Sequence, residues 1–321
     1  MAALVQDTIQ VNLFQNDKPI DIEIIYCKGQ QVKYKTEGSG RPAVILLPFW
    51  GGTARTYRTL QNQIAQDNPE ITTIAISYPG TGNSSRDIID PTIDPFTKGV
   101  LHDLASVVEL LVPQLATKGP CIDFKKGVVL VGHSMGAKVA TKVLVSDAEQ
   151  KLRIKGVLLL GPAPPGPLVL SPAERKFRAK TFDTYQSAKF ALTEILGLVT
   201  ASDQIVSDCI QDALGMDDIA KRGWIESGID EDLSPDLIMA SPEVKKTRIR
   251  ILAGREDRAE PPDQVQLLVL NAFKNFGEFV DVSMETLQLC GHMMVIENAA
   301  EVGEAVRKMV EHGNLKDFDS D

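Results

Sequence analysis

A glycine-flanked serine between a strand-like run and a helix-like run constrains this chain more than any other feature. The pattern Gly-x-Ser-x-Gly at residues 132–136, with Ser134 at its centre, follows the apolar run 128–131 and precedes the helix-forming run 137–144. A turn this tight needs small residues around the serine, and it lifts the hydroxyl above the sheet. Because the pattern alone arises by chance about 0.1 times in a chain of this length, its strand–turn–helix context makes it informative. We therefore predict that Ser134 is a nucleophile, the alternative being a glycine-rich turn without chemistry.

Short apolar, β-branched runs alternate along the chain with segments of helical spacing. Such runs are typical of strands that are buried on both faces, as in a parallel sheet. Helical spacing is clear in residues 104–111 and 302–309, where apolar residues recur at i, i+3, i+4 and i+7. The alternation predicts an open, mostly parallel α/β sheet with helices on both faces. The predicted strands are residues 22–26, 31–35, 43–47, 72–77, 128–131, 157–160 and 249–252.

One long region breaks the alternation. Residues 163–245 contain no convincing strand and open with a proline-rich stretch, after which aromatic and aliphatic residues recur among helix formers. The simpler interpretation is a set of amphipathic helices that pack on the sheet domain. The more specific interpretation is a helical lid over an active site. In either case we predict one core domain, formed by residues 1–162 and 246–321, into which residues 163–245 are inserted.

The charge balance argues against several classes of function. The 321 residues include 34 Lys and Arg against 43 Asp and Glu, a net charge of −9 without any basic tract. Such a surface repels phosphate backbones and anionic membranes, so we expect no nucleic-acid partner. No uncharged apolar run of about 18 residues is present, so we also expect no membrane span. The N-terminal residues lack the basic and apolar segments of a signal peptide.

The cysteines and histidines indicate neither a disulfide framework nor a metal site. The four cysteines lie far apart without a C-x-x-C pair, which favours reduced thiols and a cytoplasmic location. Neither they nor the four scattered histidines have the spacing of metal ligands. The glycines at residues 38–40 follow no strand–helix unit, so dinucleotide binding is unsupported. We expect a small-molecule substrate and no cofactor, and the sequence predicts nothing about oligomeric state.

A serine hydroxyl needs a general base, and the sequence offers four histidines for that role. His102 and His312 lie at the ends of predicted helices, where a surface role suffices. His133 lies inside the tight turn, and its side chain is expected to point away from Ser134. His292 lies in a loop just before the last amphipathic helix. By elimination, His292 is the predicted base.

The base in turn needs an orienting acid, which should come from the end of another strand. Asp257 lies where the predicted strand 249–252 ends and the chain turns. Glu256, Glu260 and Asp263 are close enough in sequence to compete for the same role. We predict that Asp257 is the acid.

The chain order Ser134, Asp257, His292, together with the glycine-flanked serine, resembles the α/β-hydrolase superfamily. The resemblance spans nearly the whole chain and includes the segments 78–84 and 254–257. It implies the α/β-hydrolase fold. In that family a helical cap is commonly inserted after the strand that follows the nucleophile helix. Residues 163–245 fall at that point, so the resemblance implies that they form a cap.

The resemblance also implies an oxyanion hole. Family members typically carry His-Gly-X after the strand that corresponds to residues 43–47, and the amide of X holds the oxyanion. This chain has Pro48 and Phe49 in place of the His-Gly pair, followed by Trp50. The implied donors are therefore the backbone amides of Trp50 and Met135. The residues that we expect near the substrate are Phe49, His133, Trp224 and Met293.

These residues predict a cofactor-independent serine hydrolase that forms an acyl-enzyme. An ester or lactone of a small, mainly apolar, neutral molecule is the expected substrate, by analogy with simple family members. A serine nucleophile argues against the epoxide hydrolase and haloalkane dehalogenase branches. A carbon–carbon bond hydrolase or an acyltransferase of the same fold stays open, as does a small-molecule receptor that retains the triad.

The acidic charge is concentrated in two parts of the chain. Residues 163–245 contain 8 Lys and Arg against 14 Asp and Glu, and residues 311–321 contain one Lys against four acids. The remainder of the chain, which holds the predicted triad, is formally neutral. If the carboxylates of the inserted region face the entrance, they disfavour polyanionic substrates such as acyl-CoA thioesters.

Overall fold

A mostly parallel sheet of eight strands organises the residues that the computed structural model describes, which are 4–12, 19–28, 40–86, 100–146, 152–198 and 201–312. The strand order is β1-β2-β4-β3-β5-β6-β7-β8. Strands β1 and β2 pair antiparallel, as do β2 and β4, and all the other pairs are parallel. The strands are β1 (Val5–Asn12), β2 (Pro19–Cys27), β3 (Ala43–Leu47), β4 (Thr73–Ile76), β5 (Val128–His133), β6 (Ile154–Leu160), β7 (Ile249–Gly254) and β8 (Val282–Leu287).

Helices cover both faces of the sheet because the central strands are apolar on both sides. In β3, Val44 and Leu46 belong to one apolar cluster, while Ile45 and Leu47 belong to the other. The first cluster includes helices α1 (Arg58–Asp67) and α12 (Ala299–His312), and the second includes α2 (Val100–Gln114) and α3 (Met135–Val145). The predicted sheet with helices on both faces is confirmed.

Strands β1 and β8, at the two edges of the sheet, were not predicted. Strand β8 was not predicted, because it is an edge strand whose side chains alternate between buried and exposed instead of forming an apolar run. Strand β1 pairs only with β2 and likewise lacks an uninterrupted apolar run. The strand predicted at residues 31–35 lies outside the described residues.

The chain between β6 and β7 is helical, and we call residues 163–245 the β6–β7 segment. Buried apolar residues between Phe182 and Met216 form a cluster of their own, to which Phe49 and Met293 of the surrounding loops also belong. Those from Trp224 to Val244 join the core cluster that contains α2 and α3. Because Phe49 follows β3, the segment lies over the edge at which the parallel strands end. Its helices are α4 (Pro172–Arg178), α5 (Tyr185–Phe190), α6 (Asp203–Leu214), α7 (Asp218–Glu226), α8 (Ser234–Met239) and α9 (Pro242–Lys245).

Two further short helices complete the structure. Helix α10 (Pro262–Val265) continues through π-helical turns to residue 276, and α11 (Met294–Glu297) directly precedes α12. Across the described ranges, no helix combines the length and the apolar character that crossing a membrane requires.

A buried carboxylate on β2 holds the loop that follows β4. Glu23 is fully buried and accepts hydrogen bonds from Gln6 Nε2 (2.7 Å), Ser77 Oγ (2.6 Å) and the Asn83 amide (3.0 Å). At Gly82, where φ is +54°, an added Cβ would lie 2.1 Å from Glu23 Oε2. The loop therefore closes tightly over this carboxylate, which accounts for Gly82 in the sequence segment 78–84.

We predict that Glu23→Ala lowers the free energy of unfolding by about 2–4 kcal/mol, because it leaves the buried Ser77 hydroxyl and two partly buried donors without an acceptor. Urea unfolding measures the loss. Glu70→Ala serves as the control, since it removes a partly exposed ion pair with Arg41 and should cost less than about 1 kcal/mol. Equal losses in the two variants would contradict the role of Glu23.

Candidate active site

Ser134 occupies a strained turn between β5 and α3. Its φ is +54° and its ψ is −115°, a conformation that residues with a Cβ rarely adopt. The turn depends on close backbone approaches at its two glycines. A Cβ added to Gly132 would lie 2.4 Å from the Gly136 carbonyl oxygen. A Cβ added to Gly136 would lie 2.2 Å from the Leu47 carbonyl oxygen. Ser134 is the only residue of this five-residue turn that is not buried.

His292 and Asp257 form a buried hydrogen-bonded pair. The distance from His292 Nδ1 to Asp257 Oδ2 is 2.7 Å, and both side chains are buried. The other carboxylate oxygen, Oδ1, accepts hydrogen bonds from the amides of Ala259 and Glu260, each at 2.8 Å. Since the carboxylate receives Nδ1–H, the Nε2 atom of His292 remains available to accept a proton.

None of the three carboxylates that compete with Asp257 in sequence hydrogen-bonds to His292. Glu256 and Asp263 are exposed. Glu260 is buried and accepts a hydrogen bond from Gln264 Nε2 at 3.0 Å, while only its backbone amide contacts Asp257. Burial raises the pKa of Glu260 to about 8, and the nearby Asp257 carboxylate contributes to the increase.

Gly161 joins the serine turn to the buried pair. The Ser134 amide donates to the Leu160 carbonyl oxygen at 2.9 Å, so the turn lies beside the end of β6. At Gly161, the next residue, an added Cβ would lie 3.1 Å from both Asp257 Oδ2 and His292 Nδ1. The serine turn and the Asp257–His292 pair therefore both lie at the carboxyl ends of neighbouring strands. No sequence pattern indicated the role of Gly161, although a side chain there would displace the pair.

His133 is fully buried and does not line the apolar cavity beside Trp50 and Met135. Its Nε2 lies 2.8 Å from the His292 carbonyl oxygen, which can only accept, so Nε2 carries the proton. Burial, with a contribution from the neighbouring His292, lowers the pKa of His133 well below its usual value. His133 therefore stays neutral and supports the backbone of His292.

A carboxylate on α11 adds to the negative field around His292. Glu297 Oε2 accepts a hydrogen bond from the Gly291 amide at 3.0 Å. Burial disfavours the charged imidazolium, but Asp257, Glu260 and Glu297 outweigh burial and raise the pKa of His292 above its usual value. Burial also raises the pKa of Glu297. Glu297 was not predicted from the sequence, because the closeness of its carboxylate to His292 depends on how the chain turns into α11.

The loop after β3 brings the two predicted oxyanion donors to one cavity. Trp50 and Met135 both line it, and within the described part of the chain no acceptor is paired with the amide of either residue. The Trp50 indole donates to the Lys221 carbonyl oxygen on α7 at 3.0 Å, and its ring packs 4.6 Å from that of Phe182. Trp50 thus contacts the β6–β7 segment with its side chain while its amide stays unpaired.

The cavity has a volume of about 70 Å³ and is mainly apolar. Phe49, Trp50 and Met135 line it from the sheet domain, and Trp224 lines it from α7. Among the described residues its charged lining is acidic, and no Lys or Arg lines it. The cavity is also lined by Leu104 and Val107 of α2, by Asp103 at the start of α2, and by Asp217 before α7.

Met293 lies away from this cavity. It is fully buried in the apolar cluster of the β6–β7 segment, directly after His292. Among the residues that the structure describes, no group of three or more His, Cys, Asp or Glu side chains is arranged to hold a metal ion.

Comparison with known families identifies a match over most of the chain. A family model described as the alpha/beta hydrolase family matches residues 44–305. That range includes the serine turn, the Asp257–His292 pair and the β6–β7 segment. No curated protein sequence matches the chain.

Solved structures share the fold at low sequence identity. A bromoperoxidase from Bacillus anthracis is 17% identical, with a TM-score of 0.69 over 95% of this chain and 100% of that one. An esterase (EaEST) from Exiguobacterium antarcticum is 16% identical, with a TM-score of 0.72 over 95% of this chain and 100% of that one. A serine hydrolase involved in carbazole degradation (CarC enzyme) is 15% identical, with a TM-score of 0.64 over 97% and 100%. At these identities the likeness shows the fold alone.

The raised pKa of His292 predicts the pH dependence of Ser134 reactivity. If His292 is the base for Ser134, only its neutral form can accept the serine proton, so the rate of Ser134 modification by a sulfonyl fluoride should rise with pH. Its midpoint should lie above the ordinary histidine value of about 6.5. Glu297→Gln removes a negative charge near the ring while keeping an acceptor for the Gly291 amide, and it should move the midpoint to lower pH.

Glu301→Gln is the matched control, because Glu301 is an exposed carboxylate on the adjacent helix α12. It should leave the midpoint where the unsubstituted protein has it. A midpoint below 6.5, or one that Glu297→Gln leaves unchanged, would contradict the electrostatic account of His292.

Proposed function

Because the chain belongs to the alpha/beta hydrolase family, we propose that it is a serine hydrolase with Ser134 as nucleophile, His292 as base and Asp257 as orienting acid. The observation that supports this most strongly is the buried His292–Asp257 hydrogen bond beside the strained serine turn. A buried imidazole–carboxylate pair is costly to desolvate, and a nucleophilic serine nearby gives it a chemical purpose.

In the proposed reaction, Ser134 Oγ attacks the acyl carbon while His292 Nε2 takes the hydroxyl proton. Asp257 accepts Nδ1–H and stabilises the imidazolium that forms. The oxyanion accepts hydrogen bonds from the amides of Trp50 and Met135, each of which contributes a few kcal/mol. The imidazolium then donates its proton to the leaving alcohol, and the ester bond breaks to leave an acyl-enzyme. Water, deprotonated by His292, cleaves the acyl-enzyme and restores Ser134.

We propose an ester or lactone with a short apolar acyl group as the substrate class. The cavity reaches both proposed oxyanion donors, so it suits the acyl chain of a bound ester. A cavity of 150 Å³ is known to bind benzene, so about 70 Å³ accommodates about three carbon atoms. The acidic residues that line it, Asp103 and Asp217, disfavour an anionic acyl group. The β6–β7 segment, which contributes Trp224, acts in this proposal as the cap.

Covalent labelling tests the nucleophile. A fluorophosphonate should label the unsubstituted protein at one site, and Ser134→Ala should abolish both the label and the hydrolysis of p-nitrophenyl butyrate. Ser146→Ala is a suitable control, since Ser146 lies at the end of α3 and its hydroxyl hydrogen-bonds to Glu109 and Val143. Labelling that persists in Ser134→Ala would overturn the proposed function.

A panel of p-nitrophenyl esters tests the acyl cavity. We expect kcat/KM to peak at acyl chains of two to four carbons and to fall at least about 10-fold for the octanoate ester, which exceeds the cavity. Leu104→Ala enlarges the cavity and should raise the ratio of hexanoate to acetate turnover.

Leu110→Ala controls for a general effect on α2, because Leu110 lies on the same helix and is exposed. It should leave the chain-length profile unchanged. A profile that is flat, or that Leu104→Ala and Leu110→Ala change equally, would refute the assignment of the cavity to the acyl group.

A further inference from the structure

A carboxylate of the β6–β7 segment is bonded to the loop that carries the Trp50 amide. Asp212, on α6, accepts hydrogen bonds from Thr53 Oγ1 at 2.7 Å and from Arg55 Nε at 3.3 Å. A second guanidinium nitrogen of Arg55 also bonds to Asp212 Oδ1. Thr53 and Arg55 directly follow the loop after β3, so this contact links α6 to that loop across nearly 160 residues of sequence.

The Asp212–Thr53 side of the contact is buried, whereas the Arg55 side chain is 36% exposed. Asp212 is only 7% exposed, and Thr53 is fully buried. Burial raises the pKa of Asp212, whereas the Thr53 hydroxyl and the Arg55 guanidinium act in the opposite direction. Removing one partner of such a group leaves the others with uncompensated desolvation, so the arrangement is strongly directional.

Hydrogen bonds from the Thr53 amide to Thr56 Oγ1 (3.1 Å) and from the Ala54 amide to Ser77 Oγ (2.9 Å) also hold the end of the loop. Two glycines follow Trp50, and Gly51 has a φ of +102°, a conformation that few residues with a side chain adopt. Within this loop the Gly52 amide bonds to the Phe49 carbonyl oxygen at 2.9 Å, which forms a tight turn around Trp50. The orientation of that turn depends on where its two ends are held. β3 holds one end, and Thr53 is the other.

We propose that Asp212 is a positioning residue, which holds the turn at residues 49–52 so that the Trp50 amide points at the oxyanion of the transition state. The proposal rests on the proposed function of the same site. In this proposal the β6–β7 segment supplies the restraint on the loop. The bond from the Trp50 indole to Lys221 adds a second restraint from the same segment.

A purely structural role for Asp212 makes a different prediction. If Asp212 only attached the β6–β7 segment, its loss would loosen the substrate cavity and raise KM. A residue that aligns an oxyanion donor acts in the transition state, so its loss lowers kcat and leaves KM nearly unchanged. The split between kcat and KM therefore separates the two roles.

The test compares Asp212→Ala with the unsubstituted protein in p-nitrophenyl butyrate hydrolysis and in hydrogen–deuterium exchange. We expect kcat to fall about 10- to 100-fold with KM changed less than about twofold, and exchange to accelerate in peptides that cover residues 48–54. Asp212→Asn, which keeps the shape and an acceptor for Thr53, should show a smaller loss of kcat in the same direction. It provides the same test if Asp212→Ala folds poorly.

Asp230→Ala is the matched control within the β6–β7 segment. Asp230 pairs with Arg175 at 2.7 and 2.9 Å inside the segment and does not contact the loop after β3. It should leave kcat, KM and exchange at residues 48–54 unchanged. If turnover depends on Ser134 but Asp212→Ala raises KM alone, or leaves the exchange of this loop unchanged, the role of Asp212 is overturned while the proposed function stands. Turnover that survives in Ser134→Ala overturns both.

Discussion

The backbone conformation at Ser134 is the constraint on which the rest of the site depends. A residue with a side chain held at positive φ costs on the order of 1–3 kcal/mol, and it persists only where its surroundings enforce it. Here the enforcement comes from Gly132 and Gly136, which let the chain pass so close to itself and to Leu47 that no Cβ fits. The same closeness brings the loop after β3 beside the first turn of α3. One strained turn therefore sets both the exposure of the serine and the distance between the two unpaired amides.

Burial and charge act in opposite directions around His292, and charge prevails. The imidazole is enclosed on every side, which by itself favours its neutral form. Asp257 is bonded to it, and Glu260 and Glu297 lie near it. The neighbouring His133 is enclosed equally but hydrogen-bonds to a backbone carbonyl instead of a carboxylate, and burial lowers the pKa of His133. Two adjacent buried histidines thus have opposite protonation behaviour because only one of them has carboxylate neighbours.

The β6–β7 segment is attached to the sheet domain through the loop that the proposed chemistry uses. Its apolar cluster takes in Phe49, its backbone accepts the Trp50 indole, and its Asp212 binds Thr53 and Arg55. All of these contacts involve residues 49–55, in and directly after the loop that follows β3. Packing, hydrogen bonding and ion pairing therefore converge on the loop that carries Trp50.

The sequence alone determined the features that depend on neighbours along the chain. The serine turn, the alternation of strands and helices, the position of Asp257 after a predicted strand and that of His292 before a predicted helix are local patterns. Local sterics and periodicity specify them. Tertiary structure decided the features that depend on closeness in space. It selected Asp257 over Glu260 as the partner of His292, enclosed His133, required a glycine at residue 161 and joined Asp212 to Thr53. These choices depend on burial and on distances between segments far apart in sequence, and no periodicity in one chain encodes them.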